Sequence, residues 1–195
     1  MSSPEAKLII LPEWLVPVVP AGQVLTDHAV VIGKERILDL LPARNVPKQY
    51  PDVPQQVLPQ QILIPGLVNT HGHAAMTLLR GYADDRELMD WLNNHIWPVE
   101  GEFVDATFTE DGTTLAIAEM LLSGTTCAAD TYFFPDAQAK AYHDNHFRAQ
   151  CCLPVIQFPN AWAKSEEEHI HKALQVHNDF RSHDLITTAF APHAP

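Results

Sequence analysis

The sequence predicts an α/β fold built on a parallel sheet with covering helices, preceded by a β-rich segment. Three observations carry this. Apolar runs of strand length recur near residues 64–70, 125–132, 149–157 and 185–191. Segments with helix start and stop signals lie between them. The first run, Ile62-Leu-Ile-Pro-Gly-Leu-Val68, is apolar without alternation, the pattern of a strand covered on both faces. Repeated βα units at such spacing imply a parallel sheet.

Residues 7 to about 60 read as β. Leu8–Val19 is β-prone, with prolines that suit edges and turns. Ala29–Ile32, a turn at Gly33-Lys34-Glu35, and Arg36–Leu41 form a predicted hairpin. Residues 42–60, rich in Pro and Gln, read as a connector with one short strand at Gln56–Leu58. After the run at 62–68, Asp85–His95 is a short helix within a long loop. Glu110–Ser123 is a helix capped by Thr109 and ended by Gly124. A strand at Thr125–Phe133, a helix at Asp136–Asn145 and a strand at Arg148–Phe158 follow. Ser165–Arg181 is a helix with Ser165 as N-cap and Glu168 at the capping-box position, and Leu185–Ala191 is the last strand.

The 195 residues, 46% of them hydrophobic, suffice for a sizeable core. A formal net charge of −12 repels phosphate backbones and anionic lipid, so nucleic-acid and membrane-surface binding are not expected. The apolar N-terminal stretch is broken by Pro12, Glu13 and Pro17, and it lacks the features of a signal peptide or a membrane span. Cys127, Cys151 and Cys152 are odd in number and two are adjacent, which suits no disulfide framework. They read as reduced core thiols of a cytoplasmic protein.

His71 and His73, in Pro65-Gly-Leu-Val-Asn-Thr-His-Gly-His-Ala-Ala-Met76, follow the first buried-type strand. Positions i and i+2 of a strand share a face, so both imidazoles can reach one divalent ion. The C-terminal end of a parallel sheet is where sites form. The competing reading is two satisfied polar residues at a strand end. His169-Ile170-His171 has the same spacing but lies in a charged helical segment, where i and i+2 do not face each other; it reads as a solvated helix face. His193, in Ala191-Pro-His-Ala-Pro195, reads as a substrate contact or a surface-loop histidine. Glu100 follows the apolar Ile96-Trp-Pro-Val99 in the long loop and reads as an acceptor for substrate hydroxyls or a solvated carboxylate. Asp130 orients a neighbour or caps a strand end, and Arg80 is a weaker second-layer candidate.

The segment Pro65–Gly81 resembles the first-strand signature of the amidohydrolase superfamily. Asp90-Trp-Leu, Ile96-Trp-Pro-Val-Glu100, Gly124-Thr-Thr-Cys-Ala-Ala-Asp-Thr-Tyr-Phe133 and Ala189-Phe-Ala-Pro-His-Ala-Pro195 make it similar to the methylthioadenosine/S-adenosylhomocysteine deaminases. The resemblance implies the N-terminal half of a (β/α)8 TIM-type barrel, about four βα units at 61–195, preceded by part of a small β-sandwich at 1–60. It implies His71 and His73 as metal ligands, Glu100 and His193 as substrate-binding residues, and one divalent metal ion, zinc foremost with iron as the alternative. The substrate would be a small-molecule nucleoside. Catalytic residues are expected beyond residue 195. The chain alone is therefore expected to be inactive and to need its missing C-terminal half, with homo-oligomerisation an option for the complete protein. Guanine-type deaminases and triazine hydrolases are the alternative, as is a non-catalytic fragment. One departure stands out: Asn160-Ala-Trp-Ala-Lys-Ser165 occupies the segment where that family carries a substrate-contacting arginine.

Overall fold

The computed structural model describes residues 5–34 and 36–193, so Glu35 of the predicted turn and the final Ala194-Pro195 lie outside the described residues. The chain divides between Pro65 and Gly66 into two compact units.

The first unit is a four-stranded sheet. It is built from β1 (Leu8–Leu15), β2 (His28–Ile32), β3 (Ile37–Pro42), a short helix α1 (Val46–Gln49) and β4 (Gln55–Leu63), in the order β3-β2-β1-β4. The predicted hairpin is present as the antiparallel β2–β3 pair. The short strand read at Gln56–Leu58 is present but longer, as the nine-residue strand β4, parallel to β1. Most of its side chains are exposed, so main-chain pairing rather than apolar burial defines it; a polar run of Gln and Pro hides such a strand. Ile9, Ala29, Val31, Leu41 and Val46 form the core of this unit.

The second unit opens with β5 (Leu67–Gly72), followed by 3₁₀ turns at Ala74–Leu79. Next come α2 (Leu88–Trp91), a π turn at Leu92–Ile96, and α3 (Trp97–Phe103). Then α4 (Ala106–Leu122), β6 (Thr125–Thr131), α5 (Pro135–Asp144), β7 (Arg148–Val155), α6 (Glu166–Asp179) and β8 (Ile186–Pro192) alternate. The strands form one all-parallel sheet in the order β5-β6-β7-β8, so the α/β class is as the sequence predicts.

Three expectations are corrected. The apolar run at 62–68 is not one strand buried on both faces: Ile62 and Leu63 end β4, while Leu67 and Val68 are 53% and 60% exposed on β5. Among the described residues β5 pairs only with β6, and an edge strand lacks one flank of cover. The helix after β5 runs past His95 through Pro98, with the π turn just ahead of that proline. Widening the turn there accommodates a ring that would otherwise meet the carbonyl one turn earlier. Helix α4 starts at Asp105, whose carboxylate accepts from the Phe108 amide, and not at Thr109. Thr109 and Thr113 are wholly buried, and burying that face draws in another turn of helix.

Gly124, at φ +85°, ends α4 in the left-handed conformation. Gly112 lets α4 approach the segment after β5, since a Cβ there would lie 2.4 Å from the Ala75 carbonyl oxygen. Ser165 caps α6 as read from the sequence, accepting from the Glu168 amide at 3.2 Å. Phe134, which precedes α5, is left-handed at φ 55°. Its ring packs on two clusters, Ala75–Val104–Tyr132 and Leu153–Trp162–Ala163–Ala173–Val176. The three cysteines are free, and Cys151 is buried. No helix among the described residues is long and apolar enough to cross a membrane.

Candidate active site

The C-terminal ends of the parallel strands gather the polar residues. The β5–β6 register slips between Asn69 and Gly72, the stretch that carries His71 and leads into His73. The rings of His71 and His73 lie 5.0 Å apart at 81°. His73 Nδ1 sits 2.7 Å from the Thr131 carbonyl oxygen. A carbonyl only accepts, so Nδ1 carries the proton and Nε2 keeps its lone pair, as a metal-ligating imidazole requires. The His71 amide donates to Asn69 Oδ1 at 3.2 Å. Between them, Gly72 leaves room: a Cβ there would stand 3.2 Å from Asn69 Nδ2 and 3.5 Å from Asp130 Oδ1.

Asp130 lies beneath this corner at 1% exposure. Its Oδ1 accepts from the Ala74 amide at 2.9 Å, and its Oδ2 accepts from Gln138 Nε2 at 2.7 Å and Tyr142 Oη at 2.8 Å. Burial pushes its carboxyl above the usual range, against the pull of these donors and of His73. Asp130 thus ties the residue after His73 to β6 and α5. Arg80 is elsewhere, paired through both terminal nitrogens with Glu119 at the surface.

Glu100 is not in a loop but on α3, and it is 9% exposed. Tyr132 Oη donates to its Oε1 at 2.8 Å. Burial raises the Glu100 carboxyl, while the Tyr132 bond and His73 act the other way. His193 follows β8, and its amide donates to the Val155 carbonyl at 3.1 Å, extending the sheet pairing by one residue. A cavity of about 150 Å³ brings His73, Glu100 and His193 together beside the apolar Trp91, Trp97 and Ile156. His71 does not line it.

The comparison pair at 169–171 splits. His171 is exposed as expected, but His169 is fully buried, which corrects the solvated reading. Its Nδ1 donates to the Pro154 carbonyl and its Nε2 accepts from Asn160 Nδ2, both at 3.0 Å. Asn160 Oδ1 in turn accepts from the Trp162 and Ala163 amides. Asn160, in the segment where an arginine was looked for, therefore braces its own loop. Tyr132 was missed by sequence reasoning. Its one signal is an aromatic with a polar tip at the end of a site-bearing strand.

His71 and His73 could supply two ligands of a metal site. Among the described residues no group of three or more His, Cys, Asp and Glu is placed to hold an ion, and a catalytic zinc takes three protein ligands.

A profile described as the amidohydrolase family matches residues 62–195. The chain is 49% identical over 190 residues to a 5-methylthioadenosine/S-adenosylhomocysteine deaminase of Saccharophagus degradans, covering 97% of this chain and 43% of that protein. It is 50% identical over 182 residues to the protein of the same name from Teredinibacter turnerae, covering 93% and 41%. Among solved structures, an adenosine deaminase from Xanthomonas campestris with bound zinc matches at TM-score 0.94 and 47% identity, over 98% of this chain and 44% of that one. The chain thus spans less than half the length of these relatives.

Proposed function

Because this chain belongs to the amidohydrolase family, we propose that it forms the N-terminal part of a metal-dependent aminohydrolase that deaminates an adenosine-type nucleoside, methylthioadenosine or S-adenosylhomocysteine. In this reading β5–β8 are four strands of an eight-stranded barrel, and residues 1–60 are part of a small β-sandwich. The observation that carries it is the cavity joining His73, Glu100 and His193 at the C-terminal end of the sheet. The names and identities of the relatives support the substrate class.

His71 and His73 would hold the metal, zinc foremost and iron as the alternative. When bound, the metal supplies Lewis acidity that makes water nucleophilic near neutral pH. Glu100 accepts hydrogen bonds from the ribose hydroxyls, and His193 contacts the nucleoside from the opposite strand end. Trp91 and Trp97 give the cavity an apolar wall for a base or thioether. Holding the nucleoside in one pose makes the attack effectively unimolecular. The third metal ligand and the proton-transfer group come from a segment outside these residues, so the chain alone is inactive. Free thiols and an acidic surface fit a cytoplasmic setting.

The purified chain should give no inosine-type product from methylthioadenosine. Mixed with the C-terminal part of the Saccharophagus degradans relative, it should give product that His71→Ala abolishes. Turnover by the chain alone refutes its inactivity. Absence of product from the folded mixture refutes the deaminase reading.

A further inference from the structure

Glu100 and Tyr132 come from separate elements, α3 and the end of β6, and meet through one hydrogen bond. The Tyr132 ring is 6% exposed, packed with Ala75 and Val104 and flanked by Met76, Phe108 and Phe133. Packing on this scale needs only the ring, and a phenylalanine would supply it equally. The hydroxyl is the part that packing does not explain. A carboxylate accepts only, so Tyr132 donates, and among the described residues this is the one hydrogen bond the Glu100 carboxylate accepts. The ring is wedged, so its oxygen is a fixed point. The carboxylate, at the end of a flexible stem, takes its orientation from that point.

We propose that Tyr132 is a positioning residue for Glu100: it holds one carboxylate oxygen so that the other faces the cavity, set to accept from two adjacent hydroxyls of a sugar. This rests on the reading of Glu100 as the sugar-binding carboxylate and adds to it the residue that aims it. The charge state agrees. Burial disfavours the carboxylate ion, and Tyr132 and His73 are the groups that favour it. The other titratable groups facing this corner are His193, across the cavity, and Asp130, which acts on the Tyr132 hydroxyl and raises it together with burial and Glu100.

The test uses Tyr132→Phe in the 195-residue chain, with two readouts. Without ligand, the carbon-13 carboxyl titration of Glu100 should move to higher pH than in the unsubstituted chain, because a donor to the ion is gone. An unmoved midpoint overturns the proposal. With methylthioadenosine and its 2′-deoxy counterpart as calorimetric probes, preference for the diol should fall about tenfold or more, as expected for losing a hydrogen bond to a charged group. Equal weakening of both probes marks a merely structural tyrosine and overturns the proposal. Glu100→Gln separates the two ideas. Diol preference intact in that variant refutes the sugar-binding reading. Preference lost there but kept in Tyr132→Phe refutes the positioning role alone. If the unsubstituted chain binds neither probe, the sugar-binding reading fails for this chain, and the carboxyl titration by itself decides whether Tyr132 holds Glu100.

Discussion

Removing the Asp130 carboxylate should be among the costliest single changes in the second unit. Asp130→Ala leaves two buried donors, Gln138 Nε2 and Tyr142 Oη, and the half-buried Ala74 amide without their acceptor. Each unsatisfied donor costs about 1–3 kcal/mol. Against this stands relief from burying a carboxylate, whose charged form the site already disfavours. The balance is a loss of about 3 kcal/mol, within the range for breaking a buried charged network. With a urea slope of about 2 kcal/mol per molar, the midpoint falls by roughly 1.5 M. Asp130→Asn keeps the shape and one acceptor. Gln138 Oε1 is buried and without a partner, so turning the Gln138 amide lets that oxygen accept from the side-chain nitrogen that the substitution introduces. The Asp130→Asn variant should therefore lose only about 1 kcal/mol. Urea unfolding followed by tryptophan fluorescence reads both, since Trp91, Trp97 and Trp162 all lie in this unit. A loss under about 1 kcal/mol for Asp130→Ala, or equal losses for the two variants, would falsify the argument from stranded donors.

Three further outcomes follow from the same reasoning. Burial holds the folded pKa of Glu100 above its ordinary value, so the folded metal-free chain binds the proton more tightly and loses stability as pH rises from about 4.5 through the folded pKa; Glu100→Gln should match the parent chain at pH 4 and exceed it at pH 7, and a Gln variant less stable at pH 7 contradicts this. His169 runs the opposite way: burial depresses its pKa, so stability is present above the ordinary value of 6.5 and lost as pH falls through the folded pKa. His169→Leu should cost about 2 kcal/mol at pH 7 by stranding Asn160 and the Pro154 carbonyl, yet show a flatter acid limb in thermal melts. Gly112→Ala should destabilise by about 2 kcal/mol despite the better helix propensity of alanine, because its Cβ meets the Ala75 backbone; a higher melting temperature would show that α4 can shift away.

Legibility in the sequence followed the kind of force at work. Strands β6 and β7 stood out because each is a strand-length run between helix signals, β8 because such a run follows a helix, and α6 because Ser165 and Glu168 mark its start. Strand β4 was legible only at Gln56–Leu58, and its extension to Leu63 was hidden because backbone pairing with β1, not side-chain burial, makes it. The sequence marks the start of α4 at Thr109, but burial of Thr109 and Thr113 inside the helix carries its start back to Asp105. At the site, the gathering of His73, Glu100 and His193 at one cavity lies along the sequence motifs. The Tyr132 bond and the Asp130 hub do not, because each joins residues from different elements whose meeting is a fact of packing. His169 shows the converse: a histidine in a charged helix looks solvated until the loop bracing it is seen.

Phe134 has a consequence for motion. Its left-handed backbone would suit glycine, but a glycine would give up the ring that is shared between the cluster under Tyr132 and the cluster under Trp162. The segment after β6 and the segment after β7 are therefore keyed to one side chain. In hydrogen-exchange terms they are expected to open as a single cooperative unit rather than as two fraying loops. Ordering one rim of the cavity should then order the other, so a ligand that engages either segment should act on both.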